Sequence, residues 1–178
     1  MKTFSAICAS VLTTVICSCN SDYHEKEIVC PVSPLGPQSC VVVIDLDNIS
    51  DETKTTIGNL LDNEQIIRSP SETADIDRNE EGLFDGMQLD MSEVDFSTQT
   101  VLLSYYFLSA VPSETRFHLI NIVDDNCYRL STVFVHDTSD KLPDNQIALI
   151  RTAVVTDRIP ADAEVVFQYG AAVSDLWN

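Results

Sequence analysis

The sequence predicts a mainly β domain, built as an antiparallel β-sandwich or a curled β-meander with one or two short helices. Five runs rich in Val, Ile, Leu and aromatic residues follow one another between residues 101 and 169, with polar turn residues between them. Helix-start signals occur at two places, Ser50 and Ser69. An apolar content of 44% is enough for one core of ordinary size.

The first half of this domain predicts one strand and two helices. The β-branched run 41–44 is typical of a buried strand. Ser50 is a suitable N-cap, because acidic residues fill the next turn and apolar residues recur at helical spacing as far as Leu61. Ser69 begins a second short helix, with Pro70 at its first position and a glutamate at its third.

The second half predicts five strands. The first is apolar on both faces, which is typical of a central strand. The turn residues 124–126 indicate a hairpin between the second and third strands. The last strand alternates, with Val165, Phe167 and Tyr169 on one face. The predicted strands are 101–108, 117–123, 128–135, 147–156 and 163–169.

The N-terminus predicts the signal of a bacterial lipoprotein. Lys2 gives the positive start, an apolar run follows over residues 4–17, and the small residue Ser18 stands directly before Cys19. A membrane-spanning helix needs about 20 apolar residues, and this run is shorter and contains Ser and Thr. We therefore expect cleavage after Ser18 and acyl chains on Cys19, which would make a stable lipid anchor.

This signal divides the chain into three parts. Residues 1–18 are the signal peptide, residues 19–40 are the lipidated cysteine with a flexible, Pro-rich tether, and residues 41–178 are a single β-rich domain. The expected location is the bacterial cell envelope, anchored to the outer membrane, with its periplasmic or surface side left open. Removing residues 1–18 takes away Lys2 and no acid, so 9 basic and 28 acidic side chains remain and the net charge is −19. This charge argues against nucleic acid as a partner.

Three cysteines follow the lipidated one. Export places Cys30, Cys40 and Cys127 in an oxidising compartment, where disulfides persist. Cys30 and Cys40 bracket a short Pro-rich loop, so we expect a disulfide between them, with Cys127 as a small buried residue. A bridge from Cys127 to either of the other two stays open. C-x-x-C spacing is absent, so neither a zinc site nor thioredoxin-type chemistry is indicated.

The densest set of oxygen ligands lies at residues 45–52. It departs from the calcium loop of an EF-hand, because Ser50 occupies the glycine position and Thr56 the position of the bidentate acid. A strand end followed by a helix cap is the preferred interpretation, and we expect no cofactor. The weak candidates for a looser calcium site are Asp45, Asp47 and Asp51.

Catalytic motifs are missing from the sequence, so we expect no enzyme. It has no G-x-S-x-G or H-E-x-x-H pattern, and its five glycines form no phosphate-binding loop. The dipeptide His136-Asp137, beside Thr138 and Ser139, is where a hydrolase site would be sought. His118 is expected to be a core or edge histidine, and the aromatic run 105–107 is expected to pack in the core.

Three motifs give the chain a resemblance to a group of small lipoproteins from Bacteroidota. They are Ile66–Glu72, then Val94–Ser97 with Thr100–Leu103, followed by a run of strands. The layout over residues 66–169 is also similar to the C-terminal module of PrcB-like protease-complex subunits. The resemblance implies an exported β-rich domain that, in most members, has no assigned activity. This chain has Pro112–Thr115 where the PrcB-like pattern carries a glycine-rich T-G-G-Y-type segment.

Together these patterns predict a membrane-anchored envelope lipoprotein that works as a non-catalytic binding or accessory module. It would contact another envelope protein through a face or an edge of a sheet. The alternative is a surface lipoprotein that binds calcium or glycans.

The anchor gives the first testable prediction. Cys19→Ala removes the acyl acceptor, so we expect loss of labelling by a radioactive or alkyne-tagged fatty acid and release of the protein from the membrane fraction. Cys30→Ala is the control and should keep both. Labelling that survives Cys19→Ala would contradict the assignment of the signal.

Overall fold

The described residues form a two-sheet β-sandwich with an α-helix packed on its outside. A computed structural model describes residues 26–36, 39–61, 64–76, 80, 82–84, 87 and 89–174. The prediction of a mainly β sandwich is confirmed. The elements are β1 (Glu27–Cys30), β2 (Val32–Pro34), β3 (Cys40–Asp45), α1 (Asp51–Leu61), β4 (Gln65–Ile67), β5 (Gln99–Leu108), β6 (Glu114–Ile122), β7 (Cys127–His136), β8 (Gln146–Asp157) and β9 (Glu164–Val173). Short 3-10 helices lie at Pro70–Asp75, Val123–Asp125 and Thr138–Asp140.

The nine strands of the described residues form two sheets. Sheet A has the order β1-β6-β7-β9, and its last pair, β7 and β9, is parallel while the others are antiparallel. Sheet B has the order β2-β8-β5-β4. Because β5 occupies one edge of β8, β2 and β3 follow each other along the other edge. All five strands predicted in the second half, the strand at 41–44 and the helix after Ser50 are present.

Sheet B is the middle layer of the molecule. One face of β5 packs toward sheet A, with Leu102 beside Leu119 and Leu130 in one buried cluster. Its other face packs toward α1, with Leu103 and Leu60 in another. The expectation that residues 101–108 form a central strand is therefore confirmed.

The prediction that residues 19–40 form a flexible tether is wrong for residues 27–34, which belong to the sheets. Residues 27–30 form β1 and pair with β6, and residues 32–34 form β2 and pair with β8, so the chain passes from sheet A to sheet B at Pro31. The domain therefore includes the residues from Glu27 onward. The polar composition and the prolines suggested a tether, but edge strands tolerate both.

The signal peptide at 1–18, Cys19 and the start of the tether lie outside the described residues. Within the described ranges, no helix is both long enough and apolar enough to cross a bilayer.

The predicted disulfide is absent, and Cys30, Cys40 and Cys127 are free thiols. Cys40 pairs with Arg151 on β8, whereas Val32 pairs with Thr156, five residues further along. Five residues span about 17 Å, and Cys30 precedes Val32 by only two residues, so Cys30 and Cys40 are at least about 10 Å apart. A disulfide needs Cα atoms within about 7 Å.

The motif Val94–Ser97 forms the turn that leads into β5. The Asp95 Oδ1 atom accepts hydrogen bonds from the backbone N–H of Ser97 at 3.0 Å and from its hydroxyl at 2.6 Å. Arg158 fixes this turn to the segment after β8, because its guanidinium donates to the carbonyl oxygens of Phe96 and Arg68. The motif that carries the resemblance therefore has a structural role.

Asp95 makes stability depend on pH. Hydrogen bonds from the side chain and backbone of Ser97 and from Thr98 lower the pKa of Asp95 below its usual value. A lowered pKa stabilises the fold above the unfolded value of about 3.9, and this contribution is lost as the pH falls through the folded value. We expect Asp95→Asn to unfold at lower urea concentration than the parent at pH 7.

The difference between the urea concentrations at which the parent and Asp95→Asn unfold should become smaller as the pH falls below about 4. Glu93→Gln, which removes a neighbouring exposed carboxylate, is the control and should change stability little. A difference for Asp95→Asn that stays constant from pH 7 to pH 2.5 would contradict this account.

Candidate functional site

The three aspartates considered for calcium do not converge. The carboxylate of Asp45 accepts a hydrogen bond from the backbone N–H of Asp47 at 3.0 Å, and that of Asp47 accepts one from Asn145 at 3.0 Å. Asp51 forms an ion pair with Lys54 at 2.8 Å in the first turn of α1. Among the described residues, no group of three His, Cys, Asp or Glu side chains is placed to hold a metal.

The histidines considered in the sequence lie apart from each other. His118 is exposed on β6 rather than buried, because the even-numbered residues of this strand point away from sheet B. The Nδ1 atom of His136 lies 3.3 Å from the carbonyl oxygen of Asp137. The carboxylate of Asp137 takes part in a capping box with Asp140 instead of orienting the imidazole.

The aromatic run on β5 packs in the core, as expected. Tyr106 is buried between the sheets, and its ring centroid lies 5.1 Å from that of Phe134. Its hydroxyl accepts a hydrogen bond from Ser104 at 2.8 Å. Tyr105 points to the other face and donates to Glu80 at 2.8 Å. Neither tyrosine is placed to stack against a sugar.

A buried ion pair lies between sheet B and the segment that follows the first 3-10 helix. Arg151 on β8 is only 2% exposed, and its guanidinium lies 2.6 Å from the carboxylate of Glu80, which is also buried. Phe84 stacks over the guanidinium at 4.6 Å, and the Cys40 Sγ accepts a hydrogen bond from it at 3.5 Å. With Tyr105, these side chains form one buried cluster, in which every contact is within the protein.

The electrostatics of this cluster indicate a structural role. Burial alone would lower the pKa of Arg151, but the hydrogen bond and the charge of Glu80 outweigh it, so that the pKa lies above its usual value. The guanidinium therefore stays charged and unreactive. Sequence reasoning missed the pair because Glu80 lies 71 residues away. The available signal was a single arginine inside the apolar run of β8.

The surface that stays open is the outer face of sheet A. Residues paired across strands point to the same face, so the pairings identify its members. They are Glu114, Arg116, His118, Ile120 and Ile122 on β6, Cys127, Arg129, Ser131, Val133 and Val135 on β7, and Glu164, Val166, Gln168, Gly170 and Ala172 on β9. Ile122, Cys127 and Val135, at the ends of the face, are buried, whereas the residues between them are exposed or half-buried.

One end of this face holds a depression of about 350 Å³, which we call the outer hollow. Val133, Val135 and Ala172 supply its apolar part. Gly170 pairs with Val133, so at this register no side chain lies between Val133 and the free edge of β9. An added Cβ at Gly170 would meet no atom within 4 Å. The full lining is Ser113, Glu114, Arg116, Val133, Val135, Ala172 and Ser174.

The hollow is lined on one side by β9, whose free edge we call the β9 edge (Glu164–Val173). β9 is the last strand of sheet A, and no described strand pairs with its outer side. Its ten residues contain one charge, Glu164, and no proline, and Tyr169 is 62% exposed. Natural proteins usually protect such edges with charges, prolines or bulges. From Val165 to Val173 the β9 edge has neither a charge nor a proline.

Acidic side chains lie at both ends of the β9 edge. Asp162 and Glu164 are exposed at its start, and the Asn126 side chain holds Asp162 there. At the other end, the hydroxyl of Ser174 donates to the carboxylate of Asp137. The edge therefore combines an apolar middle with acidic ends.

Comparisons with family models, curated proteins and solved structures found no match to this chain. The resemblance suggested by its motifs therefore stays a prediction, and the function of the chain has to be inferred from its own structure.

The buried cluster gives a prediction about stability. Glu80→Ala leaves the Arg151 charge buried without its partner, so we expect a loss of about 3–5 kcal/mol in the free energy of unfolding. Tyr105→Phe removes one hydrogen bond to Glu80 and should cost about 1–3 kcal/mol. Urea denaturation measures both variants.

Glu52→Ala, which removes an exposed carboxylate from α1, is the control and should stay within about 0.5 kcal/mol of the parent. If Glu80→Ala changed stability no more than Glu52→Ala, the pair would have to be solvated rather than buried.

Proposed function

We propose that this chain is a lipid-anchored, non-catalytic binding module of the bacterial envelope that holds an extended segment of another envelope protein at the β9 edge. The observation that carries the proposal is the long, nearly uncharged free strand at the border of sheet A. In strand addition, a partner segment pairs with such an edge through backbone hydrogen bonds, and alternate side chains give specificity.

The β9 edge suits strand addition better than the other sheet edges of the described residues. β1 and β4 are only four and three residues long. The edge beyond β8 is divided between β2, which has three residues and ends in Pro34, and β3, which has six, and residues 35–39 separate the two strands. Proline cannot donate a hydrogen bond to an added strand. β9 offers ten residues, about half of which direct their N–H and C=O groups outward.

The position of the predicted anchor is compatible with this role. Cys19 precedes Glu27, at the start of β1, by eight positions, which span at most about 28 Å. β1 and β9 lie at opposite edges of sheet A, three strand spacings or about 14 Å apart. The lipid would therefore hold one edge of the sheet near the outer membrane and leave the other edge available.

Site-specific cross-linking in intact cells tests this proposal. A photoreactive phenylalanine analogue at Tyr169 should cross-link one envelope protein, because this exposed side chain lies on the β9 edge. The same analogue at Val43 is the control, since Val43 is 46% exposed but lies on β3. The Tyr169 adduct should also disappear with Cys19→Ala, which prevents correct anchoring. Equal adducts from both positions, or adducts from Val43 alone, would contradict the proposal.

A further inference from the structure

We propose that the outer hollow receives one large apolar side chain, Phe or Leu in type, from the strand that pairs with β9, and that this strand carries basic residues at both ends. The proposal rests on the proposed function and adds the chemistry of the partner.

A side chain on a strand paired with β9 can pass from the β9 edge into the outer hollow. A strand added to β9 would lie about 4.8 Å from it, and β7 lies the same distance on the other side. A side chain that leans across β9 normally meets the side chain of its cross-strand neighbour. At Gly170 this neighbour has no side chain, and Val133 lies directly beyond it. A large side chain at this register can therefore lie over Gly170 and contact Val133.

The polar groups around the outer hollow already have hydrogen-bond partners within the protein. Arg116 donates two hydrogen bonds of 2.8 Å to the carboxylate of Glu114. The hydroxyl of Ser113 donates to the Val135 carbonyl oxygen at 3.1 Å, and that of Ser174 donates to Asp137. A charged or strongly polar ligand would have to displace these bonds. An apolar group would use the surface that remains, on Val133, Val135 and Ala172.

The volume of the outer hollow also favours a single side chain as its occupant. A volume of about 350 Å³ lies at the lower end of the range for small-molecule sites, about 300–1,000 Å³. β9 lines the hollow through Ala172, and Gly170, the preceding outward-facing residue of β9, has no side chain. The hollow therefore suits one large side chain held by a neighbouring strand better than a cofactor bound by itself.

Charge specifies the ends of the partner segment. Asp162 and Glu164 are exposed at the start of the β9 edge, and near its end the half-buried Asp137 lies on the β7 side, where its carboxylate accepts a hydrogen bond from Ser174. The whole chain carries a net charge of −18. A second copy would bring the same acids to the same edge, so the charge disfavours self-pairing and favours a segment with Lys or Arg at its ends.

The test uses four synthetic ten-residue peptides of alternating Thr and Val. Three have Lys at both ends and Phe, Leu or Ala at the central position, and the fourth has central Phe and Glu at both ends. Fluorescence polarisation measures their Kd for the purified protein. We expect the Phe and Leu peptides to bind about 10- to 100-fold more tightly than the Ala peptide, because one large side chain is buried. The peptide with Glu ends should bind more weakly than its Lys counterpart.

Gly170→Val is the decisive variant, because it blocks the path into the hollow. Gly170 lies in a strand, its φ is not positive and an added Cβ has open space, so the variant should melt no lower than the parent. We expect it to bind the Phe and Ala peptides equally. Ala172→Leu, which fills the hollow from the neighbouring outward-facing position of β9, should have the same effect. Gly58→Ala is the control, because an added Cβ on α1 also meets open space, and it should leave the preference unchanged.

Failure of this inference is distinct from failure of the proposed function. If all Lys peptides bound the parent equally and Gly170→Val changed nothing, strand addition would stand and the assignment of the hollow would be overturned. If the peptide with Glu ends bound as tightly as its Lys counterpart, the charge assignment would be wrong. If no peptide bound at any salt concentration, strand addition at the β9 edge would itself be contradicted.

Discussion

The rest of the structure depends on the ladder between β5 and β8. Ten residue pairs, from Gln99 with Asp157 to Leu108 with Ala148, join these strands, and both faces are buried along residues 100–106 of β5 and 148–154 of β8. The middle of this ladder therefore has no solvent-exposed face. Sheet A covers one side and α1 with the following segment covers the other. The outer face of sheet A and its β9 edge are left as the surface on which a partner can act.

Because the middle parts of β5 and β8 are buried on both faces, their polar side chains bond to other groups within the protein. Between the sheets, the hydroxyl of Ser104 bonds to Thr152 at 3.0 Å and to Tyr106, which in turn contacts Thr132 on β7. On the opposite face, Arg151 is neutralised by Glu80. These hydrogen bonds form in only one register of the strands, so they specify the alignment of the ladder as well as its stability. These side chains are therefore engaged in the fold, and chemistry on substrates is not expected of them.

Periodicity predicted what each segment is but not which segment it pairs with. The long apolar strands and the face assignment of Val165, Phe167 and Tyr169 could be predicted from the sequence, because alternation depends on local spacing alone. β1 and β2 could not, since three or four residues with nearby prolines become strands only by pairing with β6 and β8. The free edge of β9 was equally hidden, because its parallel pairing with β7 joins strands that are not consecutive. The Glu80–Arg151 pair depends on the same long-range arrangement.

Hydrogen–deuterium exchange of the full chain, with and without the Phe peptide carrying Lys ends, tests the central claim most directly. Without peptide, amides of β5 and β8 should exchange slowest, and about half of the β9 amides should exchange fast although they lie in the middle of a strand. With peptide, these fast amides should become protected, while those of β1 and β3 stay unchanged. Slow exchange throughout β9 before peptide is added, or protection that appears on another edge, would contradict the account.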